Sequence, residues 1–194
     1  MAAADRGGKM RLALLLLLAA CSAGPATESQ PERVVERRTS EAPAPRGAAL
    51  LRQAMLAGHD EARARLGLPP LAWNDGLAAD ARAYAEALAR SGRFEHSPQP
   101  RGNPPQGENL WTGTRRAYTY GEMVGHWADE SRFYRPLPVP QSSSSGEFGD
   151  VGHYTQIVWR ATRELGCAEA SNRTDDYIVC RYLPAGNVLG EVAY

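Results

Sequence analysis

What this chain lacks narrows the field first. Its longest apolar run, Leu12–Ala20, has nine residues, against the roughly twenty that a membrane-spanning helix needs. Neither sign of charge is in excess, with 22 basic and 22 acidic residues, so nothing draws the chain to nucleic acid or to anionic lipid in general. No internal repeat is visible. Neither an H-E-x-x-H helix nor a G-x-S-x-G elbow occurs, which removes two hydrolase signatures with understood mechanics. Cysteine is scarce as well: three residues, Cys21, Cys167 and Cys180.

The N-terminus reads as a processing signal. Arg6, Lys9 and Arg11 precede the apolar run, the pattern of a secretory signal over residues 1–20. Met10 gives a tighter alternative start. "LAAC", Leu18 to Cys21, resembles the lipobox of bacterial lipoproteins, in which the cysteine becomes the lipid-bearing N-terminus. Several acyl chains on Cys21 hold a protein at a membrane durably. The plainer alternative is an ordinary signal cut after Ala20, with Cys21 incidental. If Cys21 carries lipid, Cys167 and Cys180 remain as a pair, and export permits a disulfide. Loss of residues 1–20 leaves 19 basic and 21 acidic residues, net −2. Residues 21–46, rich in Pro, Glu, Ser and Arg with Val34 and Val35 the only sizeable apolar residues, read as a flexible tether. Residues 47–194 are the size of one domain.

Within that domain, Leu50, Leu51, Ala54, Met55, Gly58, Ala62 and Leu66 recur at helical spacing until Gly67 and Pro69–Pro70. A second helix follows Asn74 or Asp75 as cap, with Leu77, Ala81, Tyr84, Ala85 and Leu88 on one face. Residues 94–109 read as ordered loop or short strand at best. Thr119 and Glu122 make a capping box for a third helix, with Met123, Val124 and Trp127 inward and His126 beside that stripe. Residues 135–150 read as a second loop, flexible at its serine run. His153 to Trp159 alternate as a strand does, aiming His153 inward with Ile157 and Trp159. Glu164–Ala170 and Tyr177–Leu183 form a hairpin that makes a cross-strand Cys167–Cys180 bond possible. Trp73, Tyr84 and Trp159 are architectural. Helices first and an antiparallel sheet late give an α+β class.

The segments "HDEARARLGLPPLAWNDGLAADARAYA", "FEHS", "GENLW", "WADE", "GHYTQIVWRATRELGCA" and "YIVCRYLPAGNVLGEVAY" follow one another as in the CAP superfamily. That family comprises cysteine-rich secretory proteins, venom-allergen-like proteins and plant pathogenesis-related proteins, and the resemblance runs from about Gly47 to Tyr194. It implies an α-β-α sandwich with an antiparallel sheet between helical layers. It also implies a disulfide at Cys167 and Cys180, and a cleft holding His96, Glu108, Glu130 and His153. Many members hold a divalent cation, often zinc, between the two histidines. His59 matches the first-helix signature as a structural residue. Asp60 stands where many members carry Asn.

Chemistry bears on that quartet independently. Neutral imidazole is a good zinc ligand, and a carboxylate binds metal directly, through water, or by holding a ligand in place. Two histidines alone leave positions to water, so His96 and His153 would hold a cation weakly and openly. Without metal the acids can share protons with the imidazoles. Each residue has an ordinary alternative as well: His153 a bonded core histidine, His96 a loop residue, Glu108 a brace for its loop, Glu130 a solvated helix residue.

Three functional readings follow. The first is an exported, membrane-tethered binding module whose cleft engages a cation together with a lipid, glycan or protein of the envelope or extracellular space. The second is a hydrolase, metal-assisted with Glu108 or Glu130 as general base, or built on Ser97 with a histidine and a glutamate. The third is an envelope scaffold whose quartet stiffens the cleft.

Overall fold

The computed structural model describes residues 42–98 and 102–194. The signal segment, Cys21 and the tether through residue 41 lie outside those residues. Residues 42–46, assigned to the tether from composition, pack on the domain: Ala44 is buried and its N–H donates to the Arg116 carbonyl. Arg46 pairs with Glu169 at 2.6 Å and Asp176 at 2.5 Å.

Helix α1 spans Ala48–Ala64 and α2 spans Asp75–Ser91. The Asn74 side chain accepts the Leu77 N–H to cap α2, and Gly92, left-handed at φ 67°, ends it. Helix α3, Tyr120–Asp129, starts at the capping box read from Thr119 and Glu122 and runs on into a 3-10 turn, Glu130–Phe133. Strand β1 is Ala72–Trp73, β2 Gly107–Thr114, β3 Glu164–Ser171 and β4 Asp175–Leu183. They form one sheet in the order β1-β3-β4-β2, antiparallel except for the two parallel pairs of β1 with β3.

Alternation along the strands gives the sheet two apolar faces. Trp111, Leu165, Ile178 and Tyr182 cluster with Leu51, Met55, Met123 and Trp127 of α1 and α3. Leu110, Ala168, Tyr177 and Val179 cluster with Ala81, Ala85 and Leu88 of α2. Gly166 permits the second contact, since a Cβ there would lie 2.3 Å from the Ala78 nitrogen. The result is the expected sandwich. Cys167 and Cys180 face each other on β3 and β4 and are bonded. With 13 residues of separation, closing that loop is worth about 2–3 kcal/mol in chain entropy.

Several expectations are corrected. Residues 153–159 are not a strand. Gly152–Ile157 form a short helix, α4, and residues 154–159 are buried whichever way they point, so their apolar pattern carries no period to distinguish strand from helix. Asn187 holds the turn, donating to the Gly152 carbonyl at 2.9 Å and accepting from the Thr155 hydroxyl at 2.7 Å. Within residues 94–109, read as ordered loop or short strand at best, β2 begins at Gly107 and runs on to Thr114; its glycines and polar residues hide a strand that pairs with β4 along eight positions. The serine run is not loose. Ser142 and Ser143 are buried, Ser143 bridges Tyr134, and the Ser145 hydroxyl donates to Asp150 at 2.5 Å. Trp159 is buried, but Trp73 and Tyr84 are only half-buried.

Arg63 locks α1 to the segment before β3. Fully buried, it donates to the carbonyls of Pro69, Ile157, Trp159 and Thr162 at 2.7–3.2 Å, so one planar donor fork meets all four acceptors. Asp60 accepts from the Leu71 N–H at 3.0 Å, fixing the turn after α1.

Candidate functional site

The segment after α2 carries His96, and the Tyr84 hydroxyl pins it by donating to the Glu95 carbonyl at 2.7 Å. Glu108 stands opposite Arg181 in the β2–β4 register. One carboxylate oxygen of Glu108 accepts from His96 Nδ1 at 2.7 Å and from the Ser97 N–H at 2.9 Å. The other lies 2.6 Å from Arg181 Nη2. Burial alone would push the Glu108 carboxyl up, but the His96 hydrogen bond, the Arg181 charge and the Ser97 N–H outweigh it and hold it below the ordinary range. An ionised carboxylate only accepts, so His96 Nδ1 carries the proton of this hydrogen bond and Nε2 is the ring nitrogen that Glu108 does not engage.

The second pair is built the same way from other elements. Glu130 opens the 3-10 turn after α3, and His153 lies in the first turn of α4. Glu130 Oε1 takes His153 Nδ1 at 2.6 Å, while Oε2 accepts the N–H groups of His153 and Tyr154 at 3.0 Å each. The carboxylate thus satisfies the start of α4 and fixes the imidazole together. Trp127 stacks on the His153 ring with centroids 5.8 Å apart, and its own N–H is spent on the Leu110 carbonyl.

Consecutive residues of β2 tie the two pairs together. Glu108 holds His96, and Asn109 donates to the His153 carbonyl at 3.1 Å. Because β2 pairs only with β4, these residues lie at the sheet's outer edge. Solvent reaches both imidazoles, with 34% of the His96 side chain and 19% of the His153 side chain exposed, whereas Glu108 is 2% exposed. Among the described residues, no three or more His, Cys, Asp or Glu side chains gather in an arrangement that could hold a metal.

Behind Asn109 the polar contacts continue inward. Asn109 hydrogen-bonds the Tyr182 phenol, Tyr182 OH lies 2.8 Å from His59 Nε2, and His59 Nδ1 lies 2.7 Å from the Met55 carbonyl. The carbonyl can only accept, so His59 is protonated on Nδ1 and Tyr182 donates to Nε2. His59 is therefore the structural residue expected. His126 lies apart from the quartet, accepting from Trp111 Nε1 at 3.0 Å and stacked on that ring. Ser97 is buried, and its hydroxyl accepts from Arg181 Nη1 at 3.1 Å. A guanidinium cannot take a proton from it, so this contact does not activate a nucleophile.

Sequence reasoning missed Arg181 and Asn109. The signal for Arg181 was present: a charge inside the apolar run "YIVCRYL" must find a buried partner. Asn109 gave none, being one polar residue among several.

Comparison with known proteins agrees with this architecture. The family model described as CAP, cysteine-rich secretory protein family, matches residues 56–182. Pathogenesis-related protein 1B of Nicotiana tabacum is 38% identical over 144 residues, covering 73% of this chain and 80% of the relative. Pathogenesis-related protein PR-1 of Medicago truncatula is 38% identical over 135 residues, covering 69% and 73%. Among solved structures, BmVAL-1 superposes with a TM-score of 0.60 at 24% identity, covering 80% of this chain and 86% of that one. NaASP2, solved with Zn2+, gives 0.56 at 25% identity, covering 78% and 89%. The chain belongs to the CAP family, the cysteine-rich secretory proteins.

Proposed function

We propose that this CAP domain is an exported binding module that holds a divalent cation at His96 and His153 and engages a lipid, glycan or protein of the cell envelope or extracellular space. One observation carries the cation: each imidazole gives its Nδ1 proton to a carboxylate, the arrangement that orients a histidine for metal through its other nitrogen. The solved zinc-containing relative NaASP2 supports the same reading. Glu108 and Glu130 act from behind the imidazoles, since their oxygens already accept from histidine, backbone N–H or arginine. A donor set of imidazole nitrogens suits zinc and its neighbours rather than calcium or magnesium, which take oxygen ligands. Bound there, a cation would supply a Lewis acid open to water or a ligand group.

Isothermal titration of the full chain with zinc chloride tests this. One zinc per chain is expected, with no binding in the His96→Ala/His153→Ala variant. Glu130→Gln should weaken zinc by about 10–100-fold through a less firmly held His153. Full zinc binding by a folded double-alanine variant would refute the site.

Export is supported by the disulfide, which survives in oxidising compartments. Among the described residues no helix is long and apolar enough to cross a membrane. The anchor we propose is lipid on Cys21 after cleavage of residues 1–20. Intact-mass spectrometry of the protein from membranes should find the mature N-terminus at Cys21, heavier by its acyl groups, and an unmodified cysteine there would remove the anchor.

A further inference from the structure

At the opposite edge of the sheet from the two histidine–glutamate pairs, most of β3 lacks a strand partner among the described residues. Strand β1 covers only Glu164 and Leu165, through Ala72 and Trp73, before the chain turns into α2. Beyond Leu165 no strand of the described residues pairs with that side of β3. The disulfide fixes which backbone groups are presented. With Cα atoms 4.1 Å apart, Cys167 and Cys180 have the close spacing of a non-hydrogen-bonded pair. The N–H and C=O of Cys167, and of Glu169 two residues on, therefore point away from β4. Leu165 has the same parity, and its carbonyl accepts from Asn74 N at 2.8 Å on the β1 side.

Alongside this edge runs a groove of about 460 Å³ with Cys167 and Glu169 in its lining, within the size range of ligand sites. Ala48 and Ala49 of α1 and Ala78 of α2 wall it, all too short to fill it. Its acids are committed: Glu169 to Arg46 and the Tyr120 hydroxyl, Asp75 to the Trp73 indole N–H. Its arginines are not. Arg52 lies over the Trp73 ring with no ion pair among the described residues, and Arg82 is exposed and equally unpaired. The groove thus offers strand-pairing groups at Cys167 and Glu169, flanked by two arginines that have no ion pair among the described residues.

We propose that this groove takes an extended peptide segment of a partner protein, which adds as a strand to β3 at Cys167 and Glu169 and places acidic side chains against Arg52 and Arg82. Main-chain pairing supplies affinity in such an arrangement, and alternate side chains supply selectivity. Small walls leave room for a backbone to approach, and the charges choose which sequence does. The site is independent of the histidine cleft.

Affinity selection on the full chain, using acetylated octapeptides with glutamate fixed at two alternate positions and the rest randomised, tests it. A binder with a dissociation constant of about 100 μM or tighter is expected. Resynthesised with one amide N-methylated at a time, it should weaken at least about tenfold at alternate positions and little at those between, the period of strand pairing. Arg52→Glu/Arg82→Glu should weaken it by about tenfold or more while leaving zinc titration unchanged. Failure to select any peptide, or N-methylation effects without alternation, would overturn the proposal. So would self-association of the chain through this edge in sedimentation, because the occupant would then be a second copy. Binding that appears only after residues 22–41 are deleted would assign the groove to this chain's own leader and likewise overturn it.

Discussion

Arg181→Met is expected to destabilise the domain by about 3–5 kcal/mol, the cost of removing one partner from a buried ion pair. Arg181 is fully buried, and its guanidinium meets the Glu108 carboxylate at 2.6 Å and the Ser97 hydroxyl at 3.1 Å, with the Tyr84 ring 5.4 Å away. Methionine fills much of the volume but leaves the carboxylate, 2% exposed, without its cation. Glu108 would then be driven toward its neutral form, because the Arg181 charge is one of the influences holding it below the ordinary range. The sign follows. A carboxyl with a depressed folded value contributes stability above its unfolded pKa and loses it as pH falls through the folded value. In Arg181→Met that contribution shrinks at neutral pH. Urea unfolding of four proteins measures it: wild type, Arg181→Met, Glu108→Gln and the double variant. The double variant should cost less than the sum of the singles, since a neutral amide beside methionine leaves no orphaned charge. A single-variant loss under about 1 kcal/mol would show that the pair carries little. Zinc affinity should fall in Arg181→Met, because the His96 imidazole is oriented by Glu108.

That dependence marks where the sequence was legible and where it was not. The helix starts at Asn74 and Thr119 were readable because a cap is a local hydrogen bond between residues close in sequence. The hairpin of β3 and β4 was readable from two apolar runs joined by a polar turn. Residues 153–159 misled because burial on every side erases the period. Strand β2 was hidden because its glycines answer to packing that no strand pattern shows: Gln156, 49 residues on, crowds the space a Cβ would take at Gly107, and the ring of Trp111, two residues back, crowds it at Gly113. The quartet came from family resemblance. Its division into two pairs, each imidazole fixed by its own carboxylate, depends on contacts 12 and 23 residues apart. Arg181 arrives from 84 residues beyond Ser97, and no spacing rule predicts that meeting.

Acid should weaken the fold in two separate windows, and the upper one belongs to His59. Burial pushes this imidazole down from 6.5 to about 4, with the nearby Arg63 charge acting in the same direction and the Met55 hydrogen bond against both. Between those values the unfolded chain takes up a proton that the folded protein refuses. Stability from this group is therefore complete above pH 6.5, falls as pH drops toward 4, and falls no further below that. The full difference is about 3 kcal/mol. Glu108 acts lower, in the acid range below the ordinary carboxylate value. Urea unfolding at pH 7 and pH 4.5 separates the two. His59→Gln keeps donor and acceptor atoms but cannot titrate, so its loss between these pH values should be smaller than that of wild type by about 2–3 kcal/mol. Equal losses in both proteins would reject the assignment. The consequence reaches the site, because the proton His59 refuses would land on Nε2, where the Tyr182 hydroxyl now donates. Tyr182 also meets Asn109, and Asn109 holds the His153 carbonyl. Forcing that proton on reverses the first hydrogen bond of a chain ending at a proposed cation ligand.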